Sequence, residues 1–233
     1  LTLQTVGTVC NGYSSLVLTE HSDEDLRKNN IIEYIMNYYN SYDNIVINLQ
    51  EVPGDYLDKL KSLVNTENIV YHTYDRIPKL KNSDKQIYAN NSESLVSLIK
   101  GFCKISTNVQ DLDKGKAILS FTLDYDIQIL NCHIPFKYNK EIITMGCDSA
   151  QNIFVCGDFN CEINDALNIF KLFYQCPNDK STFITKRDGI ISENMYDHIL
   201  CNKQNIISDL DVDKITLSDH YFVSSDFEFK NLS

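Results

Sequence analysis

Residues 153–160 read Ile-Phe-Val-Cys-Gly-Asp-Phe-Asn. Four apolar residues are followed by Gly157, Asp158, Phe159 and Asn160. A short apolar run bounded by glycine and polar residues predicts a buried strand with chemistry-bearing side chains at its end. Strand ends are where an α/β scaffold carries its site residues. The same pattern recurs. Asn44-Ile-Val-Ile-Asn-Leu-Gln-Glu51 ends in Gln50 and Glu51, and Ile127-Gln-Ile-Leu-Asn-Cys-His133 ends in His133. Tyr196-Asp-His-Ile-Leu200 starts with Asp197, and Leu217-Ser-Asp-His-Tyr221 sets Asp219 and His220 before a final run. Singly, each has a plain structural explanation: Gly157-Asp158 could be a turn, Ser218-Asp219 a cap or Asx-turn.

Working outward, strands are expected at Leu3–Cys10, Asn44–Leu49, Ile69–Tyr74, Leu95–Ile99, Ala117–Leu123, Ile127–Cys132, Ile153–Cys156, His198–Cys201 and Tyr221–Phe229. Helices are expected at Asp23–Tyr39, capped by Ser22, and at Tyr56–Val64 and Ala166–Phe173. Ile31, Ile32, Ile35, Met36 and Tyr39 form one apolar helix face. Lys79–Ser94 is polar and reads as a surface loop. No repeat or composition break interrupts the chain, so a single α/β domain over residues 1–233 is expected, with sheets inside and helices outside.

Composition agrees. The 233 residues are 43% hydrophobic and 23% charged, enough for a large core without metal or disulfide staples. No apolar run approaches the roughly 20 residues of a membrane span, and the strand-like start at Leu1 leads us to expect no signal peptide. A net charge of -11 disfavours stable non-specific binding to nucleic acid or anionic membrane. A small anionic substrate in a local pocket remains compatible with it. The eight cysteines read as free, mostly structural thiols, which suits an intracellular, cytoplasmic setting. Lys outnumbers Arg 18 to 3 and Trp is absent, a bias expected of an AT-rich genome such as that of a virus, protist or low-GC bacterium.

In order and spacing, LQEV (49–52), GDFN (157–160) and SDH (218–220) resemble the endonuclease/exonuclease/phosphatase superfamily, over Val6 to Lys230. The resemblance implies a four-layer α/β sandwich, two packed mixed β-sheets flanked by helices. It also implies a Mg2+-dependent phosphoesterase, with Mn2+ as the alternative ion. The finer texture is similar to the inositol polyphosphate 5-phosphatases: DKGKAILSFTL (113–123), NCHI (131–134), VCGDFNCEI (155–163), YDHIL (196–200) and SDHYFVSSDFEF (218–229). That likeness implies an inositol phosphate or phosphoinositide as substrate. A nuclease or nucleotide phosphodiesterase, and a degenerate binding or structural protein, are the alternatives.

Phosphate-ester hydrolysis needs an activated water and charge neutralisation on the phosphoryl oxygens. Glu51 is a hard oxygen donor suited to Mg2+, and by the resemblance it holds the metal. His220 would orient or deprotonate the water, and the resemblance implies that Asp197 hydrogen-bonds it and fixes its tautomer. Asp158 would position that water, Asn160 would donate to the developing phosphorane, and His133 would bind a phosphoryl oxygen. Asp219 would lie beside the metal. The family's first-strand Asn falls on Cys10 without a gap or on Asn11 with a one-residue shift, and Asn11 is the expected ligand. Ile184 and His198 stand where the 5-phosphatases carry Lys and Arg, so Lys186 and Arg187 are the candidate substrate-binding cations, beside the plainer reading of a solvated loop.

Overall fold

A computed structural model describes residues 2–7, 23–74, 93–112, 116–136, 152–171, 173–176, 179–187, 190–203, 208 and 210–228. At residues 2–7, 24, 74, 175, 186 and 187 it describes the backbone alone. The first half comprises β1 (Thr2–Gly7), α1 (Glu24–Ser41), β2 (Ile45–Pro53), α2 (Gly54–Leu63), β3 (Ile69–Tyr74), β4 (Glu93–Lys100), β5 (Lys104–Leu112) and β6 (Lys116–Leu123). The second half comprises β7 (Ile127–His133), β8 (Asn152–Asp158), α3 (Ile163–Ile169), β9 (Tyr174–Gln175), β10 (Phe183–Arg187), β11 (Ile190–Asn194), β12 (Asp197–Cys201), β13 (Asp211–Asp213) and β14 (Phe222–Glu228).

Twelve of these strands form two six-stranded sheets, ordered β13-β14-β1-β2-β4-β3 and β5-β6-β7-β8-β12-β9. Each sheet is mixed, with one parallel pair at its centre, β1 with β2 and β7 with β8. Strand alternation then sorts the side chains. On β2, Val46 faces the second sheet, while Ile45, Ile47 and Leu49 pack under α1 and α2 against Ile35, Tyr39 and Leu60. On β8, Phe154 and Cys156 join the inter-sheet core, and Ile153 and Val155 pack under α3. The layers therefore run helices, sheet, sheet, helix, the four-layer sandwich expected from the sequence.

A polar seam ties the sheets together near the site. Gln50 Nε2 donates to Asn131 Oδ1 at 2.6 Å. Asn131 Nδ2 donates to the carbonyls of Leu49 and Val96 at 3.2 and 3.0 Å. These partners and Ser97, whose Oγ lies 3.2 Å from Asn131 Nδ2, are on the opposite sheet, so the Asn131 amide bridges the two layers.

Several expectations shift. Asp23, not Ser22, caps α1: its Oδ1 accepts from Leu26 N at 3.0 Å. Ser22 lies outside the described residues. The helix expected at Ala166–Phe173 is displaced to Ile163–Ile169. Glu93 and Ser94, expected in a loop, open β4. Gly157 and Asp158 are not a turn but the last two residues of β8. The β5 strand escaped notice because its residues are largely exposed and polar, with Ile105 67% exposed at the sheet edge. The β10–β11 hairpin likewise lies where a solvated loop was the plainer reading.

Gly157 shows how tightly the site strand is held. Its φ is +136°, and a Cβ there would collide with the backbone of Cys132, its register partner on β7. Gly157→Ala should therefore destabilise the fold by about 2–4 kcal/mol, read as a lower urea midpoint, because neither backbone can give.

Candidate active site

Strand register builds the site as one rung across the second sheet. Ala117 is opposite His133, His133 opposite Asp158, and Asp158 opposite Asp197. His133, Asp158 and Asp197 thus stand at one level on three adjacent strands, all buried. Two carboxylates directly opposite one another repel, and histidines offset that cost. His133 Nε2 lies 3.4 Å from Asp158 Oδ2. His220 Nδ1 donates to Asp197, at 2.9 Å from Oδ2 and 3.1 Å from Oδ1. This bond fixes the tautomer of His220, so that Nε2 is the proton-accepting nitrogen.

Backbone strain aims the other groups. Between Leu49 and Val52 the β2–β4 pairing takes up one extra residue, and Glu51 adopts φ +51°. A bulge of this kind turns a side chain out of the alternation. Glu51 Oε1 consequently lies 3.5 Å from His133 Nε2. Asn160 has φ +49°; its backbone N donates to Asp158 Oδ1 at 2.8 Å. Its Nδ2 donates to Asp158 Oδ2 and to the carbonyl of Ile134, both at 2.9 Å.

Asp219 and His220 sit in the turn before β14, where Ser218 Oγ accepts from His220 N at 3.2 Å. This is the local cap expected of Ser218. Burial pushes the Asp219 carboxyl up to about 6; His220 pulls it back, and Glu51 and Asp158 push it further up. Asp158 is driven the other way. Its burial alone would raise it, but the charge of His220 and the bonds from His133 and Asn160 hold it below the usual carboxylate range.

Of the expected residues, Glu51, His133, Asp158, Asn160, Asp197, Asp219 and His220 converge. Asn11 and Cys10 lie outside the described residues, as do the side chains of Lys186 and Arg187, whose backbone ends β10. His198 points to the opposite sheet face from Asp197, bonds the Cys161 carbonyl at 2.9 Å and packs on Phe159. Ile184 packs against the inter-sheet core.

Two residues were missed. Lys116 opens β6 and reaches Glu51 Oε1 at 2.7 Å, and it also contacts the His133 ring. Its only sequence signal is that it borders an apolar run, which marks solvated strand ends as well. Thr182, fully buried, accepts at Oγ1 from the backbone N of both Tyr196 and Asp197, each at 3.0 Å. Its carbonyl accepts from Tyr221 N at 2.7 Å. Thr182 therefore fastens the strand of Asp197 to the turn of His220.

The donor set fits a divalent cation. Carboxylates are the ligands of hard ions, and positive charge would relieve the crowding of Asp219 with Glu51 and Asp158. Ligand atoms of Asp158, Asp197 and His220 also lie within 4.8 Å of one another. Because His220 and Asp197 already satisfy each other, Glu51 and Asp219 are the better candidates for the ion.

The architecture can be matched to known folds. An endonuclease/exonuclease/phosphatase family protein from Leptotrichia buccalis C-1013-b superposes with TM-score 0.68 at 15% identity, over 97% of this chain and 100% of that one. The fold is that of the endonuclease/exonuclease/phosphatase superfamily. Two further solved structures share the fold. TDP2 of D. rerio, complexed with single strand DNA product, gives TM-score 0.62 at 14% identity over 98% and 99% of the two chains. ANGEL2, a 2',3'-cyclic phosphatase, gives 0.62 at 14% over 97% and 95%. No family model matches the sequence, and no curated protein matches it.

Two outcomes follow from this geometry. Thr182→Val should cost about 1–3 kcal/mol of stability, read as a lower urea midpoint, because two buried N–H groups lose their acceptor; Thr182→Ser should restore it. Asp219, raised above its unfolded value, favours the folded state at low pH and loses that contribution as pH climbs through about 6. Asp219→Asn should hence raise the stability of the metal-free protein at pH 7.5 by on the order of 2 kcal/mol. The gain should vanish below pH 4, as thermal melts in EDTA would read.

Proposed function

We propose that this protein is a metal-dependent phosphoesterase. The observation that carries this reading is the Asp197–His220 pair, at 2.9 Å, set against a converging group of carboxylates. Asp197 holds the Nδ1–H of His220, leaving Nε2 to take the proton of an attacking water. Asp158, kept ionised, would position that water. Asn160 spends both Nδ2 hydrogens on Asp158 and the Ile134 carbonyl, so it would hold Asp158 in place, and to donate to a developing phosphoryl oxyanion it would have to exchange one of these bonds for the substrate. His133, buried beside Asp158 with Nε2 3.4 Å from Oδ2, would support that carboxylate, and the resemblance assigns it a phosphoryl contact as well. Glu51 and Asp219 would hold a divalent cation, with Asn11 as the further ligand implied by the superfamily resemblance; when bound, the ion supplies neutralisation of phosphoryl charge. Mg2+ suits these oxygen donors, with Mn2+ as the alternative.

For the substrate, motif texture supports an inositol phosphate or phosphoinositide, with Lys186 and Arg187 as the cations that would meet further phosphates. A second reading has its own observation. A cavity of about 310 Å³ opens beside Asn160, lined by Pro135, Phe136, Phe159 and Tyr196 together with Glu162 and Asp165. Among the described residues, no Lys or Arg lines it. Such walls suit a flat, weakly charged group and repel additional phosphates, which favours a nucleotide or nucleic-acid ester. The ANGEL2 and TDP2 neighbours, one crystallised with adenosine-2',3'-vanadate and one with single strand DNA product, are consistent with that side.

Phosphate release and strand cleavage, measured together with Mg2+ and with EDTA, test the proposal. Substrates would be inositol phosphates, phosphoinositides, nucleoside 2',3'-cyclic phosphates, DNA and RNA. His220→Ala should lower the rate about 10²–10⁴-fold, the usual worth of a general base, and Glu51→Gln should abolish the metal response. Absence of activity on every substrate, with no Mg2+ binding by calorimetry, would make the protein a catalytically degenerate member of the fold.

A further inference from the structure

The Glu51 carboxylate, offered above as a metal ligand, already has a cation. Lys116 Nζ lies 2.7 Å from Glu51 Oε1 and 3.2 Å from His133 Nδ1. Both partners of the ion pair are largely withdrawn from water, with 14% and 15% of their side chains exposed. Around them stand Asp158, Asp219 and His133, all buried. An ammonium placed there answers the same excess of negative charge that a divalent ion would answer. One carboxylate oxygen cannot serve both closely, since ion and ammonium would then repel each other across a few ångströms of low-dielectric protein.

We infer that Lys116 is a resident counter-ion of Glu51 that a divalent cation must displace in order to bind. The inference rests on the metal-dependent reading of the site. It assigns Lys116 two states. Without metal, its ammonium neutralises Glu51 and keeps the carboxylate cluster foldable. With metal, the ammonium leaves Glu51 and becomes more accessible to solvent and to an anionic substrate. Metal affinity is then an exchange of cations, weaker than the bare carboxylates would give. No other lysine among the described residues is ion-paired to a carboxylate of this cluster.

The test reads the lysine as well as the ion. Calorimetric titration of the full chain with MgCl2 and MnCl2 should show at least tenfold tighter binding by Lys116→Met, which keeps the aliphatic stem, and little change for Lys116→Arg. In wild type, acetylation of Lys116 by a small acylating reagent, quantified by mass spectrometry, should rise several-fold on adding Mg2+, while Lys59 and Lys104 stay constant. Thermal melts provide a check on folding: Lys116→Met should melt below wild type in EDTA and approach it in saturating Mg2+. If wild type binds metal but the variant binds no more tightly, or if Lys116 acetylation does not rise, the exchange is refuted and the metal reading stands. If wild type binds no metal, both fall.

Discussion

Burying Asp158 and Asp197 side by side, in direct register on neighbouring strands, is the constraint on which the rest of this structure depends. Two carboxylates with almost no solvent access would be strongly destabilising alone. Each therefore recruits an imidazole. His133 comes from the parallel neighbour of β8, at the level fixed by the β7–β8 pairing. His220 comes from the other sheet, on the turn before β14, and can reach Asp197 only if the two sheets meet at this end. The Gln50–Asn131 bond and the bridging amide of Asn131 hold them there. Site and inter-sheet seam are thus one hydrogen-bonded system, in which the apolar core supplies the cohesion and the polar seam supplies the alignment.

Local backbone conformation completes what register begins. Strict alternation would send consecutive side chains to opposite faces, yet Gln50 and Glu51 both serve the inter-sheet side. The bulge and the positive φ at Glu51 reconcile the two, with a strain cost that the surrounding pairing must absorb. Asn160 is held in a similar conformation immediately after β8, by three hydrogen bonds of its own. Asparagine tolerates this region better than glutamate does. The strain at Glu51 is accordingly the stronger sign that its position is functional.

The sequence revealed most of this because buried strands announce themselves. Ile153–Cys156 is a continuous apolar run, Ile45–Leu49 and Ile127–Cys132 are apolar apart from Asn48, Gln128 and Asn131, and their polar ends proved to be neighbours. What it concealed had physical reasons. The edge strand β5 has almost no buried face, so it carries no apolar periodicity. The bulge at Glu51 leaves no mark in residue types. Thr182 acts through one hydroxyl and one carbonyl just before a two-stranded hairpin, and any threonine could have been read as such a residue. Lys116 was passed over because a lysine beside an apolar run is normally a solvated end, and only the three-dimensional meeting of β6 with β2 makes it otherwise.

The overall charge of -11 looks unsuited to an anionic ester, and the site resolves the conflict locally. Among the described residues, the carboxylates of Glu51, Asp158, Asp197 and Asp219 are gathered with His133, His220 and Lys116 into a few ångströms. Phosphate need not be attracted by the protein's surface field if it is met by cations collected on those carboxylates. Long-range attraction would scale with surface lysines and fade with salt. Attraction through a bound cation depends on the ion's occupancy instead. Under the proposed function, an acidic surface would disfavour loose capture of polyanions and still let this site hold a small ester, and selectivity would fall to the groups that line the cleft beside Asn160.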